Sequence, residues 1–163
     1  MSLRYLPEHA EAALLALQLA EKEESYLAYT HRTLFSHQID LPWVEKLEER
    51  EDLAEKIDAF VSRFARLQDH IGEKLIPRFA NLLGESQKSL LDVLAYAEQM
   101  DWIDSTEEFI GARKLRSLLV HEYMNNTELF LEAPLSADRA TTQLVKIVTR
   151  MRQQAQSIKL SVK

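Results

Sequence analysis

An all-α fold, an antiparallel bundle of about five helices, is predicted by three observations. Only 3 of the 163 residues are glycine, too few for the turns that a sheet protein of this length needs. Hydrophobic residues make up 46% of the chain, and they recur at steps of three and four rather than two. The periodic stretches are separated by short connections, "SHQIDLP", "DWIDS" and "APLS", which set neighbouring helices antiparallel. One domain, residues 1–163, is expected, long enough to bury a core.

A first helix is expected from Pro7 to His37, because proline suits a first turn where its missing N–H needs no partner. Asp40 then reads as a cap and Pro42 as the restart of a long second helix to Leu83, with a short break near Glu51. Its apolar seam is Leu53, Ile57, Phe60, Phe64, Leu67, Ile71 and Leu75. Gly84 suits a left-handed cap at its end. Within this helix, Gly72 permits a close helix contact, and Pro77 bends the rod. A third helix spans Ser86 to Met100, with Leu90, Val93, Leu94 and Ala97 inward. Ser105 and Glu108 have the spacing of a capping box and open a fourth helix to about Tyr123, with Asn125 and Asn126 at its exit. The fifth starts after "APLS" with Ser136 as cap and turns Leu144, Ile147, Val148 and Met151 inward.

The absence of cysteine excludes disulfides and cysteine-based zinc sites. His9, His31, His37 and His70 have no metal-ligand spacing, so no metal is assigned, and no Gly-rich phosphate loop or other cofactor motif exists. No signal-peptide pattern precedes the first helix, and no apolar run is long enough for a bilayer, so a cytoplasmic protein with no membrane partner is expected. The net charge of −6 argues against a general nucleic-acid coat. From Gly111 onward, nine Lys/Arg stand against four Asp/Glu, which leaves −11 on residues 1–110. A phosphate-bearing ligand would bind in this basic part, although chance alone also produces uneven surface charge.

The basic part contains "KLRSLLVHEYMNN", residues 114–126. With Arg116 at zero on a helical wheel, Tyr123 lies at about −20°, Arg113 at about 60°, Ser117 at about 100° and His121 at about 140°. Leu115, Leu118 and Leu119 occupy the opposite arc and are expected to face the core. The polar face thus gathers a fixed cation, a base that titrates near neutrality, a hydroxyl and a phenol. Such groups suit metal-independent RNA cleavage, in which a base deprotonates the 2′-hydroxyl and a guanidinium steadies charge on the phosphate. The same residues fit a cationic helix C-terminus that merely complements the helix dipole. Asp69, off the apolar seam of the second helix, is a candidate to orient His121 or pair with Arg116; a solvated salt-bridge face fits it too.

"RSLLVHEY", Arg116 to Tyr123, resembles the R-x4-H-x-Y signature of the HEPN superfamily in its HepT-like branch. It lies near the end of the fourth of five helices, where that family carries it. The resemblance implies a helical bundle that pairs as a two-fold dimer, or a higher even oligomer, with two motifs facing across a cleft. It also implies a ribonuclease toxin whose partner, a minimal nucleotidyltransferase antitoxin (MntA-like), attaches AMP to the motif tyrosine. Carried over, Arg116 binds phosphate, His121 is the general base or acid, and Tyr123 is the AMP acceptor. Arg113, Ser117 and Asp69 would support them. Ser117 departs from the pattern, since many active members place Asn, Asp or His directly after the arginine. The alternative implied by related chains is a non-catalytic substrate-binding subunit of a two-component nucleotidyltransferase. Dimerisation is expected through the fourth helix, where Phe109, Ile110, Val120 and Met124 flank the polar face.

Overall fold

The computed structural model describes residues 4–36, 40–86, 89–121 and 127–161, without the side chains of 41, 44, 48, 120, 121 and 127–135. Among the described residues the fold is a helical bundle with no strand. A 3-10 turn, Pro7–His9, leads into α1 (Ala10–Leu34). The short α2 (Leu41–Glu45) and a 3-10 turn (Lys46–Glu49) follow, with the Asp40 carboxylate accepting from Trp43 N–H at 3.0 Å. The expected break comes at Arg50, whose φ of −123° and ψ of 81° leave the helical region. Next come α3 (Glu51–His70), a π-helical segment (Ile71–Leu75) and α4 (Ile76–Leu82), which run on as one rod. The remaining elements are α5 (Leu90–Gln99), α6 (Thr106–His121) and α7 (Thr127–Ser157).

The π segment lies where Pro77 would otherwise break the helix. Proline has no N–H and its ring crowds the carbonyl four residues back, here that of Glu73. A wider turn immediately upstream relieves that crowding while the rod continues. Gly72 sits in the same segment, and a Cβ there would lie 3.2 Å from both Cε1 and Cζ of Phe109 on α6. The missing side chain lets α6 approach. Gly84 adopts φ of 89°, and Glu85 N–H reaches the Ala80 carbonyl at 2.9 Å, closing the rod with a left-handed cap.

All seven expected seam residues of this rod, Leu53 to Leu75, are buried. α1 meets them with an alanine-rich face (Ala10, Ala13, Ala16, Ala20), which shortens the distance between the helices. His70 Nε2 contacts the Ala16 carbonyl at 2.8 Å, and Arg63 bonds the Tyr26 carbonyl and Thr30 Oγ1, so α1 and α3 run antiparallel. α7 crosses α1 in the same sense, with His31 Nε2 at 2.5 Å from Asp138 and Arg152 at 3.4 Å from Glu21.

Several boundaries differ from expectation. α1 stops at Leu34, and His37 lies outside the described residues. α5 starts at Leu90, not Ser86, because Ser89 takes the cap and accepts from Asp92 N–H at 3.2 Å. Ser105 does cap α6, accepting from Glu108 N–H at 3.0 Å, while Glu98 of α5 accepts from Thr106 N–H at 2.8 Å. The largest correction is α7. Its expected start at Ser136 is overturned, since the helix is already formed at Thr127 and continues through Pro134. A proline costs about 3 kcal/mol in a free helix, yet the backbone of α7 runs through it, and just beyond it Ala137 is buried and Asp138 contacts His31 of α1. The "DWIDS" connection also sends two residues, Trp102 and Ile103, into the core. Trp102 is buried edge-on to Phe79 and Tyr96 and donates to Gln154 at 3.0 Å. No helix among the described residues is long and apolar enough to cross a membrane.

Candidate functional site

Phe109 sets the roll of α6. Seated on Gly72, it is 3% exposed, and Ala112 and Leu119 are buried on the same side. These three positions lie within about 60° of Arg116 on the helical wheel. Arg116 therefore sits on the buried seam of α6, not opposite it. This corrects the expectation that Leu115, Leu118 and Leu119 form the core face. Only Leu119 is buried; Leu115 is half-buried and Leu118 is 38% exposed. The apolar residues of α6 are spread around the helix, so the wheel alone selected the leucine arc, whereas one aromatic ring against one glycine decides the roll.

Antiparallel packing of α6 on α3 brings Arg116 onto Asp69. Arg116 Nη2 donates to Asp69 Oδ2 at 2.7 Å, the short range of a charge-assisted bond. Both side chains are half-buried, and Arg116 Nε is buried with no acceptor. The pair lies at the edge of an open groove of about 440 Å³, which Asp58, Val61, Ser62, Ala65 and Arg66 of α3 complete. Arg66 in turn donates to Ser62 Oγ at 3.1 Å. Sequence reading singled out Asp69 but missed Asp58 and Ser62. Their signal was the polar stripe at steps of four, four and three ending at Asp69.

The other candidates divide. Arg113 and Ser117 are exposed on α6. His121 is the last described residue of α6, and its side chain lies outside what is described, as do all of Tyr123, Asn125 and Asn126. The expected dimerisation patch is altered at Phe109, which is core, and at Ile110, which is half-buried; the Val120 side chain and Met124 lie outside the described residues. Leu115 and Leu118 instead line a second open groove, of about 340 Å³, between α6 and α7, beside Lys114 and Arg139.

The uneven charge of the sequence is partly spent within the fold. Arg116 pairs with Asp69, and Arg152 reaches Glu21 and Glu24, so the basic C-terminal part is bound to the acidic N-terminal part. Lys146 and Arg150 both pair with Asp104, at 2.9 and 2.7 Å, and their hydrogen bonds hold its carboxyl below the usual aspartate value. Among the described residues no group of three His, Cys, Asp or Glu is arranged to hold a metal ion.

Comparison of the chain with family models, with curated proteins and with solved structures finds no match.

Proposed function

We propose that this chain is a HepT-like toxin, a metal-independent endoribonuclease neutralised by AMP transfer to Tyr123 from a partner nucleotidyltransferase. The observation that carries the reading is the placement of Arg116, the first residue of the motif it shares in pattern with that family. Its guanidinium is held by Asp69 at the rim of an open groove, in the size range of small-ligand sites. A guanidinium fixed by a carboxylate on one side offers a pre-oriented planar fork to phosphate oxygens.

The proposed reaction needs no metal. His121 takes the proton of a ribose 2′-hydroxyl, and the 2′-oxygen attacks the adjacent phosphorus. The bond to the 5′-oxygen breaks, that oxygen receives a proton, and a 2′,3′-cyclic phosphate remains. Arg116 stabilises charge on the non-bridging oxygens. No cofactor takes part.

A second reading, the non-catalytic substrate-binding subunit, is favoured by one specific observation: Asp69 already neutralises Arg116. An RNA-cleavage assay on the full chain separates the two. Expected are cleavage that persists in EDTA and a loss of at least about a hundredfold in His121→Ala, as for removal of a general base. Normal cutting by His121→Ala, or cleavage abolished by EDTA, overturns the catalytic reading.

A further inference from the structure

Four cations of the C-terminal part, Arg116, Lys146, Arg150 and Arg152, are each spent on a carboxylate. Three on the other side of the molecule are not. Lys22 and Arg32 of α1 and Arg63 of α3 have no ion-pair partner among the described residues, and they frame two exposed aromatic rings.

Tyr26 and Tyr29 are 47% and 59% exposed on α1. They stand one turn apart, about 4.5 Å along the helix axis. Lys22 precedes Tyr26 by four positions and Arg32 follows Tyr29 by three, so all four residues lie within an arc of about 120°. Each ring is backed by a guanidinium, Arg32 over Tyr29 at 5.8 Å and Arg63 over Tyr26 at 5.6 Å, within the range of a cation–π contact. Arg63 is itself fixed, since its Nη1 donates to the Tyr26 carbonyl at 2.9 Å and to Thr30 Oγ1 at 2.6 Å.

Carboxylates are kept off this face. No acidic residue occurs from Tyr26 to Ile39. Glu21 and Glu24 turn to Arg152 of α7, and Glu23, one turn before Tyr26, has its Oε2 buried. An acidic chain thus carries a local patch in which positive charge alternates with flat π faces. That pattern fits a strand with a negative charge at every repeat and a base free to stack. A duplex hides its base faces and would meet only the cations. An apolar protein helix would have to desolvate Lys22 and Arg32 beside the rings.

We propose that this face of α1 binds a single strand of nucleic acid, with successive bases stacked on Tyr26 and Tyr29 and the flanking phosphates held by Lys22 and Arg32. The site goes beyond the functional reading above. It lies on a different helix from Arg116, it binds without cutting, and it holds whether or not the chain cleaves RNA.

Fluorescence anisotropy of the full chain with a labelled oligodeoxythymidylate of about twelve nucleotides tests it. The probe lacks the 2′-hydroxyl that the proposed cleavage requires, so its binding is read apart from that reaction. Tyr26→Ala and Tyr29→Ala should each weaken binding about tenfold, the loss of one stacked base, while Tyr29→Phe should bind like the parent. Arg32→Gln should lower the slope of log affinity against log salt by about 0.7, the share of one phosphate contact on a single strand. A duplex of the same length should compete poorly. The substituted side chains are all exposed, and far-UV circular dichroism checks that each variant stays helical. Failure of the parent chain to bind at low salt, Tyr29→Ala as tight as the parent, an unchanged slope in Arg32→Gln, or a duplex that competes as well as the strand overturns the proposal. The first of these outcomes would leave the exposed rings to a protein partner, and the last would reduce the patch to unspecific attraction of phosphate.

Discussion

Arg116 on α6 and Asp69 near the end of α3 are joined by a 2.7 Å hydrogen bond between opposite charges, with both side chains half-buried. The candidate phosphate-binding residue is therefore also a clasp between two helices. Its neighbours along α6 on that face, Ala112 and Leu119, are core.

Arg116→Ala should lower stability by about 1–3 kcal/mol, because it strands the Asp69 carboxylate and opens space beside the seam. Asp69→Ala should cost a similar amount by leaving the guanidinium, whose Nε already has no acceptor, without its partner. A double-mutant cycle by urea denaturation should return a coupling of about 1 kcal/mol. A coupling near zero would make the contact incidental. Loss of RNA cleavage in Arg116→Ala must accordingly be read beside its unfolding curve.

Much of the fold was legible because it rests on local rules. The α3 seam shows its three-and-four spacing openly, Gly84 and Ser105 announce caps by residue type, and Gly72 points to a close helix contact. The illegible parts are those that distant residues decide. Ser136 and Pro134 signal a helix start, yet Ala137 and Asp138 are bound to the bundle and the helix runs through them. Trp102 lies in a stretch that reads as a turn, and only the pocket between Phe79 and Tyr96 makes it core. For the site, sequence nominated Arg116 and Asp69 but placed Arg116 on the wrong side of its helix. The roll of α6 depends on Phe109 meeting Gly72, thirty-seven positions away in sequence.

Gly72→Ala should destabilise the protein by about 1–2 kcal/mol, although alanine is the better helix former. The added Cβ would press on two ring atoms of Phe109 at 3.2 Å, and that ring, 3% exposed, has little room to retreat. Combining Gly72→Ala with Phe109→Leu should cost less than the sum of the two single changes. Strict additivity in thermal melts would show that the ring does move and that the glycine is dispensable.

If the functional proposal holds, Tyr123 is the point of control. AMP on its phenol oxygen would add a bulky anion seven residues from Arg116, where it competes with RNA phosphate for the cation. Incubation with the partner nucleotidyltransferase, ATP and magnesium should add one AMP mass that peptide mapping assigns to Tyr123. Tyr123→Phe should remain unmodified and uninhibited. An active partner that leaves Tyr123 untouched removes this mode of control.

Glu23 should make stability depend on pH in the direction opposite to an ordinary surface carboxylate. Its Oε2 is buried with no hydrogen-bond partner. Burial raises its pKa above the ordinary 4.5, and the nearby charges of His70 and Arg66 offset only part of the rise. Glu24 is raised for the same reason, against a smaller opposing pull from Arg152. A folded state that holds its proton more tightly than the unfolded chain loses stability as pH rises between the two values. The ionised carboxylate is thus a cost at neutral pH. That cost is relieved as pH falls through the folded value, and it is gone below the unfolded one. Glu23→Gln, which keeps the shape and removes the charge, should therefore be more stable than the parent protein at pH 7. The gain should shrink towards zero below pH 4.5, where both proteins carry a neutral side chain. Glu24 is unchanged in this comparison, so the difference between the two melting curves isolates Glu23. A variant less stable than the parent at pH 7 would mean that attraction to His70 and Arg66 outweighs burial, and Glu23 would then stabilise the fold in its ionised form.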